Sequence, residues 1–181
     1  MKPTYPKGWI CLDIDGTITA DILSIPDKVL LYLEELAKNH WQLVFVKGRT
    51  FSLALAPLKD FSAPYFLVPQ NGASAFQMPE KKILFKKYLP CDVFTHLEKK
   101  INALGHDFVL FGGADQHEPC FYRPKLLKKE VRDYFSQQLT QLACQWEVVD
   151  SFKDLPIQEV PYGKIYGKKE ELQKLLPIFE D

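Results

Sequence analysis

The chain has 181 residues, 46% of them hydrophobic and 25% charged, which is room for one sizeable domain or two small ones with an ordinary globular profile. Lysine plus arginine equal aspartate plus glutamate at 23 each. A balanced chain has no global pull toward nucleic acid or an anionic membrane, although a local anion site stays open. Residues 1–7 are short and polar, so no secretory leader is expected, and no apolar run reaches the length of a membrane span. Cys11, Cys91, Cys120 and Cys144 have neither metal-ligand nor redox spacing and are expected as reduced thiols of a cytoplasmic protein.

Gly8–Asp13 reads GWICLD, an apolar run ending in a carboxylate, which predicts a strand buried in a parallel sheet. Residues 26–39 follow with Val29, Leu30, Leu33, Leu36 and Ala37 at helical spacing, and Pro26 suits a first helical turn. Trp41–Val46 predicts a second strand, residues 50–59 a second helix, and Tyr65–Val68 a third strand. This alternation predicts an α/β sheet with parallel strands. Asn71 and Gly72 signal a turn, after which residues 75–85 read as a hairpin or an edge excursion.

The character changes near residues 88–90. Residues 91–104 predict a helix stopped by Gly105, and Phe108–Phe111 a strand broken by Gly112 and Gly113. A strand at 120–123 and a long amphipathic helix at 125–143 follow, the helix carrying Leu126, Leu127, Val131, Tyr134, Phe135, Leu139 and Leu142 on one side. Residues 146–149 and 160–166 read as strands, the latter weakened by Pro161, and residues 168–179 as a final helix. The expected organisation is two domains, residues 1–88 and 89–181.

The chemistry concentrates in Asp13-Ile14-Asp15-Gly16-Thr17. Residues two apart in extended chain share a face, so two carboxylates converge at the end of a strand, where α/β sheets bind ligands. Two anions side by side need a cation or a shared proton, and oxygen ligands with a phosphate substrate point to magnesium. Gly16 lets the backbone turn so that the following amides face an anion. An EF-hand loop in this register would begin at Cys11 and end at Ile22, neither of which is a calcium ligand.

ICLDIDGTIT resembles the first motif of the haloacid dehalogenase superfamily. The resemblance implies an α/β fold with a Rossmann-like core of parallel strands and an inserted α+β cap. It implies a magnesium-dependent phosphatase in which Asp13 attacks phosphorus, forming a phospho-aspartate, and Asp15 is the acid and base, both also holding the metal. Val44 to Thr50, VFVKGRT, resembles the second motif, where the family places Thr or Ser before Gly-Arg; this chain has Lys47. Lys47 is then a phosphate ligand, a cation lying across Asp13 and Asp15 in the metal's place, or a solvated side chain. Gln70-Asn71-Gly72-Ala73 resembles a segment of the Cof-type and sucrose-phosphate-phosphatase branch, whose large α/β cap would set substrate choice. Thr17, Lys47, Gly48, Arg49 and Asn71 are thereby expected at the phosphate or substrate, although a turn role alone also accounts for Asn71.

The family's remaining motifs, a phosphate-contacting lysine and an acidic pair within a GD segment, are not found, so the chain is expected to be truncated, with a sheet edge and apolar surface left uncovered. That predicts a homo-oligomer or a complementary chain. GKIYGKK at 163–169 lacks the P-loop spacing, and His117-Glu118-Pro119-Cys120 lacks the second cysteine of a zinc deaminase. The lysine pairs at 81–82, 86–87 and 128–129 read as solvated faces, and His117 and Arg123 as loop residues, at the surface or, as the alternative, in contact with a substrate. The expected function is hydrolysis of a small phosphorylated metabolite such as a sugar phosphate. The alternatives are a degenerate relative that binds phosphate ligands or a partner chain without catalysis, and a phosphotransferase of the phosphomannomutase kind.

Overall fold

The computed structural model describes residues 6–19, 23–138 and 145–180. The chain divides into two compact units, Met1–Lys87 and Tyr88–Asp181. In the first, β1 (Gly8–Asp13), β2 (Trp41–Val46), β3 (Tyr65–Val68), β4 (Ser74–Met78) and β5 (Lys82–Lys86) form one sheet in chain order. The first three run parallel, and β4 and β5 return antiparallel as a hairpin, one of the two forms open from sequence. Parallel neighbours need crossovers, here α1 (Asp27–Lys38) and α2 (Phe51–Leu55). The second helix is shorter than its pattern predicts. Pro57 cannot continue an α-helical ladder, and Ala56–Leu58 tightens into a 3-10 turn.

Burial alternates along the strands. Leu43 and Phe45 of β2, Tyr65 and Leu67 of β3, and Phe76 and Met78 of β4 are buried, so they line one face. Phe45, Phe61 and Tyr65 meet edge to face with centroids 5.3–5.7 Å apart. Each such side chain contributes about 1.5–3 kcal/mol through burial, enough to fix which face points inward. α1 buries Leu33 and packs on β2.

β1 corrects the expectation of a buried strand. Among the described residues it is an edge strand paired only with β2, and none of its residues is buried. Trp9 is 59% exposed, although its ring lies 5.1 Å from that of Phe66. An apolar strand suited to two neighbours has one among the described residues.

The second unit holds a two-stranded pair, β6 (Leu89–Pro90) with β10 (Glu159–Val160), and a four-stranded sheet. The sheet's order is β11 (Tyr162–Ile165), β7 (Phe108–Phe111), β8 (Pro119–Tyr122), β9 (Gln145–Val148). β7 is buried on both faces. Phe108 and Leu110 join Phe94 and Ile101 of α3 (Cys91–Ala103), while Val109 and Phe111 join Val131 and Phe135 of α4 (Lys129–Gln138). Gly105 ends the α3 segment with φ +74°.

Several boundaries differ from the sequence pattern. Pro161 divides the expected strand at 160–166 into β10 and β11, because proline cannot donate to a ladder. Leu126 lies in a 3-10 turn, Pro124–Leu126, so the long helix begins later; Leu139, Leu142 and Cys144 lie outside the described residues. The final helix is α5 (Lys169–Leu172) followed by 3-10 turns through Phe179, with Pro177 inside. No helix of the described residues is long and apolar enough to cross a membrane. Cys11, Cys91 and Cys120 carry thiols, not disulfides, and burial first, then the charges of Asp92 and Glu159, push the Cys91 thiol up.

Candidate functional site

The ends of β1 and β2 lie level, with Asp13 opposite Val46. Past Asp13 the chain folds around Ile14, whose side chain is 1% exposed. The Ile14 carbonyl accepts from the amides of Thr17, Ile18 and Thr19 at 3.1–3.3 Å and from Thr19 Oγ1 at 3.0 Å. Gly16 sits at φ +72°, a conformation that a side chain would strain. With Ile14 turned inward, Asp13 and Asp15 face the other way. Thr17 Oγ1 donates to Asp13 Oδ2 at 3.3 Å.

Lys47 and Arg49 follow β2 directly. Lys47 Nζ lies 2.7 Å from Asp15 Oδ2 and 3.6 Å from Asp13 Oδ1, and Arg49 Nη2 lies 2.6 Å from Asp15 Oδ2. Of the three placements open from sequence, Lys47 therefore adopts the one across both carboxylates. Its side chain is 15% exposed, against 54% for Asp13, so the nucleophile candidate is the accessible member of the cluster.

The loop carrying these cations is pinned by the turn after β3. The Lys47 amide donates to the Val68 carbonyl, the Asn71 amide to the Lys47 carbonyl, and the Gln70 amide to the Arg49 carbonyl, at 2.8–3.2 Å. Asn71 holds φ 56°, the left-handed conformation its turn role requires. Its carboxamide also abuts Gly48, where a Cβ would fall 2.6 Å from Asn71 Oδ1. The structure thus brings Asp13, Asp15, Thr17, Lys47, Gly48, Arg49 and Asn71 together. Sequence reading did not identify the pinning role of Gln70, which is fully buried; the Asn-Gly turn beside it was the one available clue.

Asp15 Oδ1 is buried and has no hydrogen-bond partner among the described residues. An orphaned carboxylate oxygen beside a second carboxylate fits a hard divalent cation. No group of three or more His, Cys, Asp or Glu placed for a metal occurs among the described residues.

The second unit corrects one expectation. Arg123 is not a surface residue: it is 6% exposed, paired with Asp107 and Glu98, and stacked 4.1 Å over Phe152. His117 is exposed in a left-handed turn. Gly163 lies in β11 against Phe94 and Leu110, not in a phosphate loop.

Comparison with known proteins follows this geometry. No curated protein sequence matches the chain significantly. A haloacid dehalogenase-like hydrolase from B. subtilis superposes with TM-score 0.67 at 15% identity over 95% of this chain and 66% of its own. A phosphatase of the haloalkanoate (HAD) enzyme superfamily from Bacteroides thetaiotaomicron gives 0.73 at 18% identity, over 96% and 60%. A subclass IIB sugar phosphatase of the HAD superfamily gives 0.66 at 19%, over 96% and 64%. At these identities the likeness is one of fold, and the chain spans 60–66% of the length of these proteins. In sequence, residues 10–181 match the haloacid dehalogenase-like hydrolases, the family to which this chain belongs.

Proposed function

We propose that the chain handles phosphomonoesters of small metabolites, sugar phosphates among them, as a phosphatase acting through a phospho-aspartate on Asp13. The observation that carries this reading is the pairing of two carboxylates at the end of β1 with two cations from the end of β2. An Asp13 carboxylate oxygen attacks phosphorus and the bond to the leaving oxygen breaks, with Asp15 supplying the proton that the leaving alcohol takes. Water then attacks the acyl phosphate, Asp15 takes its proton, and inorganic phosphate leaves. Lys47 and Arg49 turn from Asp15 to the phosphoryl oxygens, which frees Asp15 for proton transfer. Asp13 and Asp15 would hold a magnesium ion, which would neutralise charge at the phosphoryl group.

The second unit is, in this reading, the counterpart of the family's inserted α+β cap, and the setting is cytoplasmic, which suits the thiols of Cys11, Cys91 and Cys120. The open edge of β1, with Trp9 more than half exposed, supports completion of the sheet by a second copy or a complementary chain.

The test is phosphate release from a panel of sugar phosphates, with and without magnesium, for the chain and its Asp13→Asn variant. Release that needs both Asp13 and magnesium supports the reading; release by the variant at the parent rate refutes it. A second reading, a phosphate-binding protein without turnover, is favoured by the ion pairs that close over Asp15. It is distinguished by phosphate affinity without release from any substrate.

A further inference from the structure

The Asp13–Asp15 pair already has a counter-cation. The two carboxylates carry two negative charges, and Lys47 with Arg49 carry two positive ones, so the cluster is electrically balanced without a metal. Lys47 Nζ reaches an oxygen of each carboxylate, at 3.6 Å for Asp13 and 2.7 Å for Asp15, so the ammonium occupies oxygens that a divalent cation would need. The lysine is not placed there by chance of a long solvated stem. Its backbone is held on both sides, through its amide to Val68 and through its carbonyl from Asn71, and its side chain is 15% exposed. A divalent cation approaching these oxygens meets a neutral cluster and an ammonium in its path. A phosphoryl group has the opposite effect, since its oxygens attract the ammonium and compete with the carboxylates for it.

We propose that Lys47 makes metal binding conditional on phosphate: the ammonium holds a divalent cation off Asp13 and Asp15 until a phosphoryl oxyanion draws it away. The proposal rests on the reading of this cluster as a phosphate site. It adds an order of events and a coupling through one lysine, in which, as linkage requires, phosphate and metal each raise the other's affinity by the same factor.

The experiment is calorimetric titration of magnesium into the full chain and its Lys47→Met variant, each with and without inorganic phosphate, corrected for metal–phosphate pairing in solution. Circular dichroism and the melting temperature establish that the variant is folded, and Lys47→Thr serves as a second variant if it is not. The expected result is weak magnesium binding by the parent, tightened at least about tenfold by phosphate. The variant should bind magnesium at least about tenfold more tightly than the parent without phosphate, with little further gain when phosphate is added. Equal magnesium affinity in the two proteins, or a parent affinity unchanged by phosphate, overturns the proposal. No turnover is measured, so these outcomes are independent of whether Asp13 supports phosphate release.

Discussion

Replacing Arg123 with methionine tests how the second unit holds a charge in its interior. Arg123 Nε donates to Asp107 Oδ2 at 2.9 Å, Nη2 donates to Asp107 Oδ1, and Nη1 donates to Glu98 Oε2 at 2.6 Å. The Asp107 side chain has no exposure, and its remaining partner is Asn102 Nδ2 at 3.1 Å. Burial acts to lower the guanidinium's pKa, but the hydrogen bonds and charges of Asp107 and Glu98 outweigh it and hold the group above its ordinary value, so it stays charged. Methionine keeps much of the stem's packing on Phe152 and removes all three donors. Asp107 is then a buried carboxylate with one neutral partner, and breaking one side of a buried pair costs about 3–5 kcal/mol. Native-state hydrogen exchange resolved by peptide separates the two units, so the loss should appear in the amides of β7 and β8 and not in those of β2 and β3. Adding Asp107→Asn should recover at least about 1 kcal/mol relative to the sum of the single changes, since both charges then leave together. A loss below about 1 kcal/mol in β7 and β8, or strict additivity in the double variant, would refute the reasoning.

Other outcomes follow from the same geometry. Gly48→Ala forces a Cβ to within 2.6 Å of Asn71 Oδ1 and should lower phosphate release on the order of tenfold by shifting the loop that carries Lys47, while changing stability by less than about 1 kcal/mol; steady-state kinetics beside urea unfolding checks both. Leu67→Ala removes a fully buried side chain from the middle of the first sheet and should cost about 2–5 kcal/mol, read by exchange in β2 and β3. Burial pushes the Tyr65 phenol from 10.0 up to about 12. Because its folded pKa exceeds the unfolded one, the stability it contributes is complete below pH 10 and is lost as pH rises toward 12; this alkaline limb should be absent in Tyr65→Phe. Trp9→Glu charges the open edge of β1 and should shift the sedimentation profile toward monomer; a parent that is already monomeric at high concentration removes the case for a partner at that edge.

Much of the first unit was legible in the sequence because its determinants are local. Apolar runs marked β2 and β3, helical spacing and proline placement marked the first helix, Asn71 and Gly72 marked the turn, and DIDGT placed two carboxylates at a strand end. The resemblance carried by that motif, and not periodicity, pointed to the family. The misreadings share a cause. The composition of GWICLD suits a strand with two neighbours, but neighbours are assigned by distant chain segments, and β1 has one among the described residues. A run of apolar residues did not reveal that Pro161 separates two strands, β10 and β11, that pair with different partners, β6 and β7. Arg123 looked like a surface residue because its partners, Glu98 and Asp107, belong to α3 and to the loop before β7. By itself, then, the sequence determined that two carboxylates meet at one strand end, since residue identity and two-residue spacing place Asp13 beside Asp15. Only the tertiary structure decided which cation meets them, because a lysine side chain with several rotatable bonds is positioned by the parallel register of β1 with β2 and by the clamp from the turn after β3.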